Sequence, residues 1–318
     1  MRLALTLALA ASIGVCTGGQ GGTRPAAAPP SGLIVFTADP TNDGPWYSQL
    51  LVADLETGRV RQLTHKAAGG YNPSWSPDGS QVAFDWVSDG PCNSPACSRI
   101  FLINADGTRR RAFTPRKLRC EQAAWSPAGD RIAYVQWRRS AETDNRSSIW
   151  IRSVDGTKAR RLTFAKGFDS APVWSPDGTK IVFSRDAKGS AYGNYVINAD
   201  GTGLRRLRGN RYTHITSWSS DGKRLTGTRS YGRFNNRFLS VVLKSDGSGE
   251  RLLLRGGLGP VWSPENQFLA FVPEYEDIAR GWVSVVRPDG TGRRRLFSGR
   301  FTQPAHLDWL RGPVSPGE

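Results

Sequence analysis

Residues 171–183 read "APVWSPDGTKIVF", two apolar runs joined by a Ser-Pro-Asp-Gly turn. The phrase recurs as "NPSWSPDGSQVAF" from residue 72, "QAAWSPAGDRIAY" from 122, "ITSWSSDGKRLTG" from 215 and "GPVWSPENQFLAF" from 259, with a degenerate "PAHLDWLRGP" from 304. The anchor residues Trp75, Trp125, Trp174, Trp218, Trp262 and Trp309 are separated by 50, 49, 44, 44 and 47 residues. That period suits one four-stranded propeller blade. Within each unit, proline pre-sets the turn and Asp-Gly tolerates the positive φ of a tight hairpin. A short apolar run such as "IVF" follows, then a polar loop of variable length and a second run such as "YVINADG". Further Asp-Gly turns at Asp106, Asp155, Asp200, Asp246 and Asp289 lead into an arginine-rich last run, "RRRAFT" or "ARRLTF". Short runs punctuated by turns, with no long 3.6-residue period, predict an all-β chain.

The two ends complement one another. Residues 32–64 supply three strands with no preceding tryptophan, and the last unit keeps Trp309 but stops before its other three. Joining them makes a sixth blade and removes the open edges of a linear array. The expectation is a six-bladed β-propeller over residues 32–310, closed by N-terminal strands that complete the last blade.

The repeated "WSPDG…IAF…NADG…RRLT" resembles the WD40-like repeat of the TolB-type six-bladed propellers. The resemblance covers the propeller but not the N-terminal α/β domain of that family, for which the residues before 32 leave no room. It implies a binding or scaffold role in a bacterial envelope.

Residues 1–22 begin "MRLALTLALAASIGVCTGG", one arginine before an apolar run at 3–15 that is too short to span a bilayer. They read as a secretory signal. Cys16 follows a lipobox-like "SIGV", so lipid anchoring at Cys16 and ordinary cleavage nearby are both open, and a lipid would be the only link to a membrane. Residues 23–31 form a Pro/Ala-rich linker and 311–318 a short tail. Cys92, Cys97 and Cys120 are disulfide candidates, either Cys92–Cys97 or one of them with Cys120. No C-x-x-C occurs, and neither metal nor cofactor is expected.

The net charge is +16. Many arginines fall in the last run of each unit, where charge on an outer edge strand discourages edge-to-edge pairing. Others lie in loops of the opposite face: Arg116, Lys117, Arg119, Arg229, Arg233 and Arg237. An exported basic surface meets an envelope protein or an anionic glycan before nucleic acid, and no nucleic-acid-binding signature appears. The protein is expected to be monomeric.

Two candidate sites emerge. The loop entering each innermost strand rims the central channel, which gathers Tyr71, Asn72, Glu121, Gln122, Asp169, Ser170, His214 and His306 as a ring of polar groups, interrupted at Leu258 and Gly259. The loops between second and third strands vary in length and carry aromatic residues, among them Trp46, Tyr47, Trp86, Trp137, Tyr192, Tyr231, Phe234 and Tyr275, with Arg233 and Arg237 beside Phe234. No G-x-S-x-G, H-E-x-x-H, Walker or dinucleotide motif is present. The function expected is a non-catalytic protein- or glycan-binding module. The alternative is a channel-mouth lyase or hydrolase using Glu121, Asp169, His214 and His306.

Overall fold

A computed structural model describes residues 29–40, 48–65, 69–87, 98–138, 146–164, 167–187, 192–209, 213–231, 237–274, 282–298 and 301–310. The first three strands are β1 (Leu33–Asp39), β2 (Gln49–Asp54) and β3 (Val60–Gln62). Blade 1 follows as β4 (Gly70–Trp75), β5 (Gln81–Val87), β6 (Ser98–Asn104) and β7 (Arg111–Ala112). Blade 2 is β8 (Cys120–Trp125), β9 (Arg131–Trp137), β10 (Ser147–Ser153) and β11 (Ala159–Arg161). Blade 3 is β12 (Gly167–Trp174), β13 (Lys180–Ala187), β14 (Gly193–Asn198) and β15 (Arg205–Arg206). Blade 4 is β16 (Thr213–Trp218), β17 (Arg224–Tyr231), β18 (Arg237–Lys244) and β19 (Arg251–Arg255). Blade 5 is β20 (Gly257–Trp262), β21 (Leu269–Pro273), β22 (Trp282–Val286) and β23 (Arg294–Ser298). The last strand, β24 (Thr302–Leu310), pairs antiparallel with β1, Trp309 opposite Ile34 and Leu310 opposite Leu33. Six four-stranded sheets result, and the sixth is the one the complementary ends predict.

The tryptophan-bearing strands touch one another around the axis, so they are the innermost. Each tryptophan packs onto the preceding blade. Trp125 lies in one apolar cluster with Ala83, Ile100 and Leu102 of blade 1. Trp174 packs with Ala133, Ile149 and Ile151 of blade 2, and Trp309 with Val261, Phe268 and Ala270 of blade 5. An indole ring buries about 150–250 Å² and so dominates the contact it enters. One ring per blade, repeated at one position, is why the period is legible.

The turn carboxylates hold their own hairpins. Asp177 Oδ1 accepts from the Ser175 hydroxyl at 2.6 Å and from the Thr179 amide at 3.0 Å, and these bonds bring its pKa to about 2. The Ser153 hydroxyl and the Thr157 amide do the same for Asp155, also to about 2. The outer-strand arginines protect a free edge and also clamp neighbours. Arg61 donates to the Ala105 carbonyl, Arg160 to the Ala199 carbonyl, and Arg251 to the Pro288 carbonyl at 2.6 Å, each on the next blade.

Closure rests on Trp309, which is 8% exposed and donates its indole N–H to the Ser31 carbonyl at 3.0 Å. Trp309→Ala should cost about 3–5 kcal/mol in denaturant unfolding, as for other large-to-small core changes. A loss below about 1 kcal/mol would show that the joined sheet is not a structural clasp.

Candidate functional site at the channel mouth

Every innermost strand slips register by one residue just before its tryptophan. The shifts fall between Tyr71 and Ser74, Glu121 and Ala124, Ser170 and Val173, Ile215 and Ser217, and Leu258 and Val261, with a matching shift in the β24–β1 pair. In five blades the residue three before the tryptophan adopts the left-handed region: Asn72 (φ 48°), Gln122 (56°), Ala171 (50°), Gly259 (57°) and His306 (48°). Glycine accepts this conformation freely and asparagine and histidine tolerate it, whereas glutamine and alanine are strained there. A bulge re-aims the side chain and leaves one backbone group without a ladder partner.

The neighbouring blade supplies that partner. The Gln122 amide donates to both oxygens of Asp85 at 2.8 and 3.0 Å, the Ala171 amide to Gln122 Oε1 at 2.7 Å, and the Gly259 amide to Thr228 Oγ1 at 2.9 Å. Nearer the opposite mouth, the Trp75 amide donates to Asp308 Oδ2 at 2.7 Å, and the Trp125 and Trp262 amides to the hydroxyls of Ser74 and Ser217 at 3.3 Å.

The mouth is a concavity of ≈ 470 Å³. Asn72, Gln122, His214 and His306 line it, among Pro73, Pro172, Pro304, Leu258 and Val272. The polar ring expected from sequence is therefore only half present. Asp169 does not face the channel: it is fully buried, and the Arg185 guanidinium grips both its oxygens at 2.6 and 2.9 Å. Glu121 accepts from Arg119 Nε at 2.8 Å and from the Trp137 indole at 3.0 Å. Ser170 is buried, and Tyr71, outside the lining, has its hydroxyl pKa raised by burial. Strand alternation explains these departures, because each lies one or two residues before the bulge that turns the chain toward the axis.

The four residues assigned to the catalytic alternative are thus not brought together; only His214 and His306 share the concavity. His214 Nδ1 lies 2.8 Å from the Tyr192 hydroxyl, and His306 Nδ1 lies 3.4 Å from Thr37 Oγ1. Burial lowers the pKa of both imidazoles. The His306 ring nonetheless keeps contact with solvent, because the protein that surrounds it is a channel wall.

Of the loop-face aromatics, Trp86 is buried against Phe84 and Phe101, where it packs the blade rather than greeting a partner. Trp137 is half-buried, 4.9 Å from the Phe168 ring, with the Arg119 guanidinium 4.1 Å above it. Tyr231 is half-buried and Arg237 exposed. Trp46, Tyr47, Arg233, Phe234 and Tyr275, like Cys16, Cys92 and Cys97, lie outside the described residues. Cys120 has no disulfide partner among the described residues. It opens β8 as a free, buried thiol, pushed up to about 12 by burial.

Two carboxylates emerge that the motif reading passed over. Asp85 is 2% exposed; burial raises its pKa to about 8 against the opposing bonds from Asn72 Nδ2, at 2.6 Å, and from the Gln122 amide. Asp308 is raised to about 6 by burial, opposed by the Trp75 and Trp309 amides. The sequence signal for Asp85 is a charge inside the apolar run "VAFDW"; Asp308 stands where Ser74 and Ser217 stand in other blades.

A family model described as the TolB beta propeller domain matches residues 96–309. The chain belongs to this TolB β-propeller family. The structure is similar to TolB from Acinetobacter baumannii (TM-score 0.72, 18% identity), covering 88% of this chain and 66% of that one. A structure assigned as TolB from Agrobacterium tumefaciens gives a TM-score of 0.61 at 17% identity, over 87% of this chain and 91% of that one. An oligogalacturonate lyase from Vibrio parahaemolyticus gives 0.55 at 14% identity, over 74% and 70%. No curated protein sequence matches. The same fold thus carries enzymes as well as TolB proteins, and the site must decide between them.

In this TolB-family propeller the two raised carboxylates set a pH dependence. Each favours its protonated form in the fold, so its contribution is complete below the ordinary carboxylate range and fades as pH rises through the folded value. Their contribution to thermal stability should therefore decline from about pH 4 to about pH 8. Asp85→Asn, which cannot ionise, should flatten the part of the decline above about pH 6, where Asp308 has already titrated. Parallel melting curves for the two proteins between pH 5 and 9 would refute the assignment to Asp85.

Proposed function

We propose that this chain is an exported, non-catalytic protein-binding propeller of the bacterial cell envelope, whose partner docks on the loop face over the channel mouth. The observation that carries this reading is the character of the mouth. It is a concavity walled by Pro73, Pro172, Leu258 and Val272, with hydrogen-bonding groups from Gln122, His214 and His306. Apolar walls with a few placed polar groups suit an inserted protein side chain. Beside it, at the same end of the blades, the Phe168–Trp137–Arg119 stack offers the residue types that dominate protein interfaces. Membership of the TolB family and the "MRLALTLALAASIGV" leader support export and an envelope setting. The non-catalytic part rests on the engagement of Glu121 and Asp169 away from the mouth.

The test compares the native chain with Leu258→Asp, each immobilised and challenged with envelope extract in rising salt. A protein retained by the native chain at high salt should lose about ten-fold in retention on the variant, as expected for a buried interface anchor. Equal retention by the two, or retention only of polyanions that leave at modest salt, would contradict the proposal. So would turnover of an envelope polysaccharide that His306→Ala abolishes.

A further inference from the structure

We infer that the outer rim of the propeller is a second binding surface, for a linear acidic polysaccharide. Every blade ends in a short outer strand or its approach carrying exposed cations, represented by Arg61, Arg111, Arg160, Arg205, Arg251 and Arg294. The four ion pairs among the described residues, Arg119–Glu121, Arg131–Asp130, Arg185–Asp169 and Arg229–Glu250, involve none of them. Nor do the turn aspartates neutralise the rim at contact distance. Asp106, Asp155, Asp200 and Asp289 each commit Oδ1 to their own turn hydroxyls and amides.

Several outer strands and their approaches carry more than one arginine, and ring contacts hold some of them in place. Arg110 stacks 4.3 Å over the Trp86 ring, Arg295 4.5 Å over Trp282 and Arg161 4.9 Å over Phe164, which is itself 73% exposed. A guanidinium held over a ring has N–H groups left for a carboxylate, and less freedom is lost when the carboxylate arrives, although Arg161 Nε already donates to the Thr163 carbonyl at 2.6 Å. An exposed aromatic beside such a fork also suits the C–H face of a sugar.

The form of the ligand follows from the distribution. The cations run around a circumference, so a flat membrane touching the rim meets one arc of it, whereas a flexible chain can follow blade after blade. Carboxylates along such a chain meet the successive forks. This surface is separate from the channel mouth and does not depend on what docks there.

The test is a titration of the whole protein with alginate, a linear polyuronate, at physiological salt, beside dextran, single-stranded DNA and phosphatidylglycerol vesicles. Alginate should bind more tightly than the other three at matched charge or mass. A triple variant, Arg111→Gln with Arg205→Gln and Arg294→Gln, removes three rim charges that make no cross-blade hydrogen bond, so its melting temperature should stay native. Its alginate affinity should fall about ten-fold. Arg295→Lys, which keeps the charge and loses the fork, should weaken binding as well, while Leu258→Asp at the mouth should leave it unchanged. Unaltered affinity in the triple variant, or tighter binding of DNA or vesicles than of alginate, would overturn the assignment.

Discussion

The structure turns on one backbone group repeated around the axis: the amide released where each innermost strand bulges. A bulge orphans an N–H, and an orphaned buried N–H is expensive. Here the amides of Gln122, Ala171 and Gly259 are satisfied by Asp85, Gln122 and Thr228 of the preceding blade. The bond that satisfies the bulge therefore also ties blade to blade. It keeps Gln122 and Ala171 in a backbone region their side chains disfavour, and the strain persists because the surrounding contacts over-determine it.

That arrangement decides what the channel mouth can do. Polar side chains near the axis are largely consumed in holding the blades, as Asn72 is by Asp85 and Gln122 Oε1 is by the Ala171 amide. What faces the concavity is apolar wall with two imidazoles and the remaining amide groups of Asn72 and Gln122. The carboxylates that a hydrolytic or eliminative mechanism would need are held elsewhere, Asp169 by Arg185 and Glu121 by Arg119. Blade cohesion and the apolar character of the mouth come from the same stretch of each innermost strand.

The architecture was legible because its signal is redundant. Six tryptophans in register, five of them before a hairpin turn, leave little room for another fold, and the missing strands at one end match the surplus at the other. The site was legible only in part. Asn72, Gln122, His214 and His306 reach the mouth as their spacing from the tryptophan suggests. Tyr71, Glu121, Asp169 and Ser170 do not, because a one-residue slip changes which neighbour faces the axis, and spacing alone does not reveal where the slip falls. Asp85 and Asp308 escaped notice because part of their role lies between blades, with partners 37 and 233 residues away.

The most direct measurement of this account is amide hydrogen exchange, resolved by residue, on the unliganded protein. If cross-blade bonds hold the bulges, the amides of Gln122, Ala171 and Gly259 exchange only with opening of the whole propeller, as slowly as the central strand β13. Rapid exchange at those three positions, with β13 still protected, would mean that the bulges are open to water and do not tie the blades together.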